Sequence, residues 1–162
     1  SVRILDIADA ITLLGGPGNV VVAILAKLSG DIDGIMMFII RQDFVRIALK
    51  ALLGHETPCG QLSELDLSAI SEVGNIMVAS YTGAIGTLSK LRIRTSVPAV
   101  TIDMAGAVMN VPATEMRSVS DQVIFIEDSF LGDDDDDMTV HTLFIPSLDS
   151  LNRLLRRLGI DL

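Results

Sequence analysis

The chain holds one cysteine in 162 residues. That excludes an internal disulfide framework and suits a reducing cytoplasm. Cys59 follows Pro58 in a loop-like stretch with no second cysteine beside it, so a nucleophilic role has no local support. Cations are also scarce: 12 Lys and Arg against 21 Asp and Glu give a net charge of −9. A protein that grips nucleic acid through its phosphates needs the opposite balance, so nucleic acid is not among the expected partners. Long apolar runs are missing too. The stretch VVVAILAKL is broken by Lys27 and falls short of the roughly 18 residues that a membrane span requires. No basic stretch leads into an apolar run and a cleavage site, and the expected location is the cytoplasm without membrane insertion. His55 and His141 have no ligand partner at useful spacing. Asp31, Asp33 and Gly34 lack the spacing of a calcium loop and read as turn residues. The glycines of GGPGN at 15–19 lack the Gly-Lys-Ser/Thr ending of a phosphate loop. No resident metal and no cofactor is expected.

What is present is a core. Hydrophobic residues make up 49% of the chain, and a single domain of this length buries roughly two-thirds of its unfolded surface. Residues 2–7, 20–28 and 34–41 read as strands, the last two joined as a hairpin by SGDID. Residues 42–53 read as a helix with Phe44, Ile47, Ala48, Leu52 and Leu53 on its apolar side and Gly54 closing it. After a loop at 55–63, Ser63 or Asp66 caps a long helix that runs to about Lys90. Residues 93–102 are extended around Pro98, and 104–116 are helical with Pro112 interrupting or kinking the helix. Strands at 123–130 and 138–145 flank an acidic run at 133–137, which reads as a solvated hairpin tip. Ser147 caps a last helix at 148–158, closed by Gly159. Met36, Met37, Met77, Met104 and Met109 read mainly as core filling.

Residues 30–54 and 137–159 parallel one another. Each runs from a turn through a strand with Phe-Ile to a helix closed by Leu-Gly, and the strands before them also correspond. Two strands and a helix, repeated, imply two similar halves sharing one sheet.

The segment from Glu64 to Pro98 carries the chemistry. At about 100° per residue, Ser68, Glu72 and Asn75 fall within an arc of roughly 60°. Ile70, Val73, Ile76, Met77 and Ala84 are expected on a different arc, facing the core. Gly74 and Asn75 in mid-helix cost on the order of 1.5 kcal/mol relative to alanines, which marks the segment as functional. An amide is a poor base, but it can accept from and donate to a water and so hold it in line with a bond to be broken.

The spacing of Ser68, Glu72, Asn75 and, after 22 intervening residues, Pro98 resembles the signature of the CheC/CheX/FliY family of chemotaxis phosphatases. EVGNIM and SVPAVTIDMAGA are similar to CheC as well. The resemblance implies an α+β, CheC-like fold with two pseudo-symmetric halves on a mainly antiparallel sheet flanked by helices. It makes 1–162 a single CheC-like domain, with 1–63 an incomplete first half and 64–162 a second half bearing the motif helix. A first motif segment of about 35 residues, the length of the 64–98 block, is then expected ahead of Ser1.

The implied activity is hydrolysis of the aspartyl phosphate of the response regulator CheY. Glu72 would pair with a lysine beside the phosphoryl group, Asn75 would position water, and Ser68 and Pro98 would support the motif. The Mg²⁺ would arrive with the phosphorylated partner. The deamidase CheD is a further implied partner, through a helix near Asp103, Met104 and Met109. The duplicated halves favour a monomer. The rival reading is a weakly catalytic or non-catalytic adaptor for CheD and phosphorylated CheY, or a flagellar-switch interaction domain like those of FliM and FliY.

Overall fold

The computed structural model describes residues 1–54, 62–116, 121–131 and 137–159. The expectations for His55, Cys59 and the aspartates at 133–136 lie outside the described residues.

Among the described residues twelve elements follow one another: β1 (Val2–Asp6), α1 (Ile7–Leu13), β2 (Val20–Gly30), β3 (Gly34–Ile40), α2 (Gln42–Leu53), α3 (Glu64–Ser89), β4 (Ile93–Thr95), β5 (Ala99–Met104), α4 (Ala105–Glu115), β6 (Gln122–Leu131), β7 (Asp137–Pro146) and α5 (Leu148–Leu158). The strands form one seven-stranded sheet in the order β1-β6-β7-β3-β2-β4, and β5 pairs with β2 beside β4. Every pairing is antiparallel.

The repeat read from the sequence becomes a near-twofold arrangement inside this sheet. Aligning Phe38-Ile39 with Phe144-Ile145 makes Met37 the counterpart of Leu143, and these two residues pair directly where β3 meets β7. The local axis therefore passes between them. The hairpins β2–β3 and β6–β7 lie on either side, each followed by a helix, α2 and α5. The outer strands are exchanged: β1, from the first half, pairs with β6, and β5, from the second, pairs with β2. Each hairpin is thus completed by a strand from the other half.

Both faces of the sheet are covered at its centre, which explains the unbroken apolar sequence of β3. All seven residues GIMMFII are buried, although alternation is the commoner pattern for an antiparallel strand. Met36, Phe38 and Ile40 point to the face covered by α2, α3 and α5, with Val45, Leu49, Ile70, Val78 and Leu154 in the same cluster. Ile35, Met37 and Ile39 point to the other face, beneath α1 and α4, with Ala10, Val108, Met109 and Phe125. At the edge, Val2 and Ile4 of β1 are exposed beside the half-buried Ile124 and Ile126 of β6.

Three features differ from the sequence reading. The two-turn helix α1 was not foreseen. Its buried residue is Ala10, and GGPGN follows as the expected turn, with Gly15 and Gly16 at positive φ. Asp103 and Met104 end strand β5 instead of opening a helix, and Met104 is exposed rather than core-filling. On α2 the buried residues are Val45 and Leu49, whereas Ile47 and Leu52 face outward. Pro112 sits inside α4 without ending it.

His141 occupies β7 opposite Glu127 of β6. Its Nε2 lies 3.5 Å from a Glu127 carboxylate oxygen, and its ring packs 5.2 Å from that of Phe125. Burial pulls the imidazole below its ordinary range. Glu127 opposes that shift, and Arg3, which also faces Glu127 at 3.8 Å, adds slightly to it. A histidine whose folded-state pKa is depressed contributes stability above its unfolded value, and that contribution is lost as the pH falls. Urea unfolding should therefore show stability declining as the pH drops below about 6.5. His141→Gln should flatten the decline between about pH 6.5 and 5, above the carboxylate range. An unchanged slope in the variant would rule out His141 as the source.

Candidate functional site

The site is built on α3, whose 26 residues span about 39 Å. Its start is set by a reciprocal capping box. The Ser63 hydroxyl accepts from the Asp66 backbone N–H, and the Asp66 carboxylate accepts from the Ser63 N–H at 2.8 Å. Both residues named from the sequence as alternative caps therefore act together. At the far end Lys90 adopts a left-handed conformation with φ 61°. The chain then turns through buried Leu91 into β4, and buried Pro98 leads into β5.

Between these ends the helix is pressed onto β2. An added Cβ at Gly74 would stand 2.6 Å from Cγ2 of Ile24, a fully buried core residue. Gly74 therefore has a packing reason, and its presence is not by itself a mark of function. Ile70 and Val78 are buried on the same side, and Met77 and Tyr81 are half-buried there. Tyr81 packs edge-on against Phe38, with ring centroids 5.3 Å apart. Its hydroxyl donates to the carboxylate of Asp128 on β6. Burial raises the phenol above its ordinary range, and the Asp128 carboxylate pushes the same way.

With this side seated, Ser68, Glu72 and Asn75 all emerge on the solvent face. Residues three and four apart on a helix hold their Cβ atoms about 5–6 Å from one another. Glu72 and Asn75 therefore present a carboxylate and an amide side by side. Among the described residues, no side-chain hydrogen bond or ion pair engages either group. Two expectations for this helix fail. Ile76 and Ala84, assigned to the core arc, lie on the outer face, with Ile76 62% exposed. Pro98 is buried, away from solvent.

The other named residues are not brought to this site. Asp103 and Met104 lie at the end of β5, where an Asp103 carboxylate oxygen accepts from the Met104 N–H at 2.7 Å. Met109 is buried in the core beneath α4, on the opposite sheet face from α3, and offers no contact surface. Among the described residues no cluster of His, Cys, Asp or Glu could hold a metal ion, and no helix is long and apolar enough to cross a membrane. The arrangement can position water through an amide and meet a cation with a carboxylate. It has no base or nucleophile poised to act alone.

Known proteins share this helix and this sheet. Residues 65–102 match the CheC-like family. Over 99% of its length the chain is 29% identical to CheY-P phosphatase CheC of Bacillus subtilis, covering 78% of that protein. The structure of FliY from Thermotoga maritima superposes with a TM-score of 0.71, at 19% identity, covering 98% of this chain and 79% of that one. CheX, in its complex with CheY, BeF₃ and Mg²⁺ from Borrelia burgdorferi, gives a TM-score of 0.55 at 14% identity, covering 78% of this chain and 75% of that one. The chain is thus similar to CheC-like proteins, in sequence over nearly its whole length and in fold.

The contact at Gly74 gives a direct test. Alanine is the better helix former by about 1 kcal/mol, yet its methyl would clash with Cγ2 of Ile24, a branch next to the backbone that can yield only by turning the whole side chain. Overpacking of this kind costs about 1–3 kcal/mol. Gly74→Ala should therefore destabilise the protein by about 0–2 kcal/mol net in urea unfolding. A variant stabilised by the full helix gain of about 1 kcal/mol would show that α3 is not seated through this contact.

Proposed function

We propose that this protein accelerates hydrolysis of the aspartyl phosphate on the response regulator CheY in chemotaxis signalling. One observation carries the reading: Glu72 and Asn75, one turn apart, are exposed and point the same way from a helix anchored on its other side. An acyl phosphate is already activated, so its hydrolysis needs a positioned water more than a strong base. Asn75 would hold that water, its amide oxygen accepting one water proton while its NH₂ remains free to donate toward the phosphoryl group. Glu72 would pair with a cation of the regulator beside the phosphate and so set the docking angle. Ser68 would support this contact one turn earlier, and Pro98 would fix the exit from α3. Mg²⁺ would come with the phosphorylated partner. The protein would work in the cytoplasm, as a monomer.

A second reading is an interaction module with little turnover, serving CheD or a flagellar switch. It is favoured by the outer face of α3, which is apolar well beyond the motif, and by the fold shared with FliY. Asp103 and Met104, both exposed at the end of β5 and directed to opposite faces of the sheet, remain available for a partner such as CheD.

Decay of phosphorylated CheY, measured with and without the protein, separates the two. Asn75→Ala should lower kcat by about 10²–10³, the loss typical of one transition-state hydrogen bond, with KM little changed. Glu72→Ala should raise KM as well. Both groups are exposed, so neither change should alter stability by more than about 1 kcal/mol. A double variant that speeds phosphate loss as well as the wild type would remove this motif from the mechanism. A wild-type protein that gives no acceleration yet binds CheD would establish the adaptor role.

A further inference from the structure

From Leu67 to Ser89, Glu72 is the only charged residue, although half of this helix faces solvent. An ordinary exposed helix face carries several charges, and depletion of charge is the mark of an interface centre. The same face displays large apolar side chains. Ile76 is 62% exposed and Leu65 is 59% exposed. At about 100° per residue, both lie within roughly 40° of Glu72 around the helix axis. Leu65 precedes the motif and Ile76 follows Asn75 directly, so the two bracket Ser68, Glu72 and Asn75 along the helix. Ala79 and Gly83 continue the stripe, and an added Cβ at Gly83 would meet no other atom within 4 Å.

We infer that Ile76 and Leu65 are the apolar anchors that seat the phosphorylated response regulator on α3, with Ile76 the principal one. The inference rests on the phosphatase reading for the identity of the partner. Continuity carries the assignment: a partner surface close enough for Glu72 and Asn75 to reach its phosphoryl group must also cover the adjoining residue, Ile76. A branched side chain held out on a rigid helix loses little freedom when it enters a pocket, and burying it removes a costly exposed surface. The matching partner feature is an apolar depression beside the phosphorylated aspartate. Recognition would then depend on shape and apolar burial, with Glu72 supplying the one charge-dependent contact. KM should accordingly change by less than about threefold between 0.05 and 0.5 M salt, since apolar contacts are not screened.

The test uses phosphorylated CheY for kinetics and fluoroberyllate-activated CheY for binding without turnover. Ile76→Ala should raise KM and Kd by about tenfold and leave kcat near wild type, as expected for an anchor residue. Ile76→Asp should raise both by more than about thirtyfold, and Leu65→Ala should give a smaller rise. Leu13→Ala, an exposed apolar position on α1 across the sheet, should change neither constant. If Ile76→Ala and Ile76→Asp leave KM and Kd unchanged while the wild type is active, the anchor assignment falls and the phosphatase reading stands. If the wild type gives no turnover but binds activated CheY, and Ile76→Asp weakens that binding, the anchor assignment stands and the phosphatase reading falls. If the wild type neither binds nor dephosphorylates CheY, both fall.

Discussion

The contact between Gly74 and Ile24 fixes which way α3 faces. A 26-residue helix lying across a sheet has many rotations that would bury some apolar side chains, because its sequence is apolar almost throughout. Only one rotation brings a residue without a side chain over the branched, fully buried Ile24. In that rotation the backbone approaches the sheet closely, Ile70 and Val78 bury on either side, and Tyr81 reaches Asp128 on β6. Ser68, Glu72 and Asn75 then have no choice but to face outward. A rotation by one residue, about 100°, would carry the amide and carboxylate off the solvent face.

The sheet beneath is stiffened by exchange between its halves. The central pair, β3 and β7, joins two hairpins, and each hairpin takes its outer strand from the other half. Melting either half would therefore strip a strand from the other. This connectivity holds Ile24 in place, because β2 is flanked by β3 on one side and by β4 and β5 on the other. The position of the exposed pair is thus set by long-range pairing through the sheet as well as by the local helix.

Much of this was legible in the sequence, for reasons that also explain the misses. The repeat of strand pair and helix was visible because its turn residues, the Phe-Ile pairs and the closing glycines recur in order. The helix boundaries at Ser63, Gly54 and Gly159 were visible because caps depend on local chemistry. The two-turn helix α1 was missed because seven residues give too little periodicity to distinguish it from the end of a strand. The faces of α2 and α3 were partly misjudged for a different reason. Period fixes the spacing of an apolar arc, but its centre is read from where charges lie. Along α3 only one charge marks the outside beyond the first turn, and on α2 apolar residues surround Val45 and Leu49 on both flanks. Gly74 was taken as a functional irregularity because its packing partner, Ile24, lies 50 positions away in the chain. For α3 the needed signal was present: a long helix with a single charge beyond its first turn has an outer face built for something other than water.

That last property bears on how so spare a constellation could work. An amide in open solvent gains nothing by binding a water, since bulk water offers the same hydrogen bonds. Asn75 can act on a water only when a partner surface closes over it, shuts out competing solvent and places a phosphoryl group beside it. On the proposed reading the protein therefore carries half of an active site, and the other half, with its charges and metal, belongs to the partner. The helix has to make closure favourable without bringing in ions that would compete for the phosphoryl group or need hydration of their own. An apolar face with one carboxylate meets both demands. Catalysis and recognition would then share a single helix surface, with the backbone contact at Gly74 holding both in register.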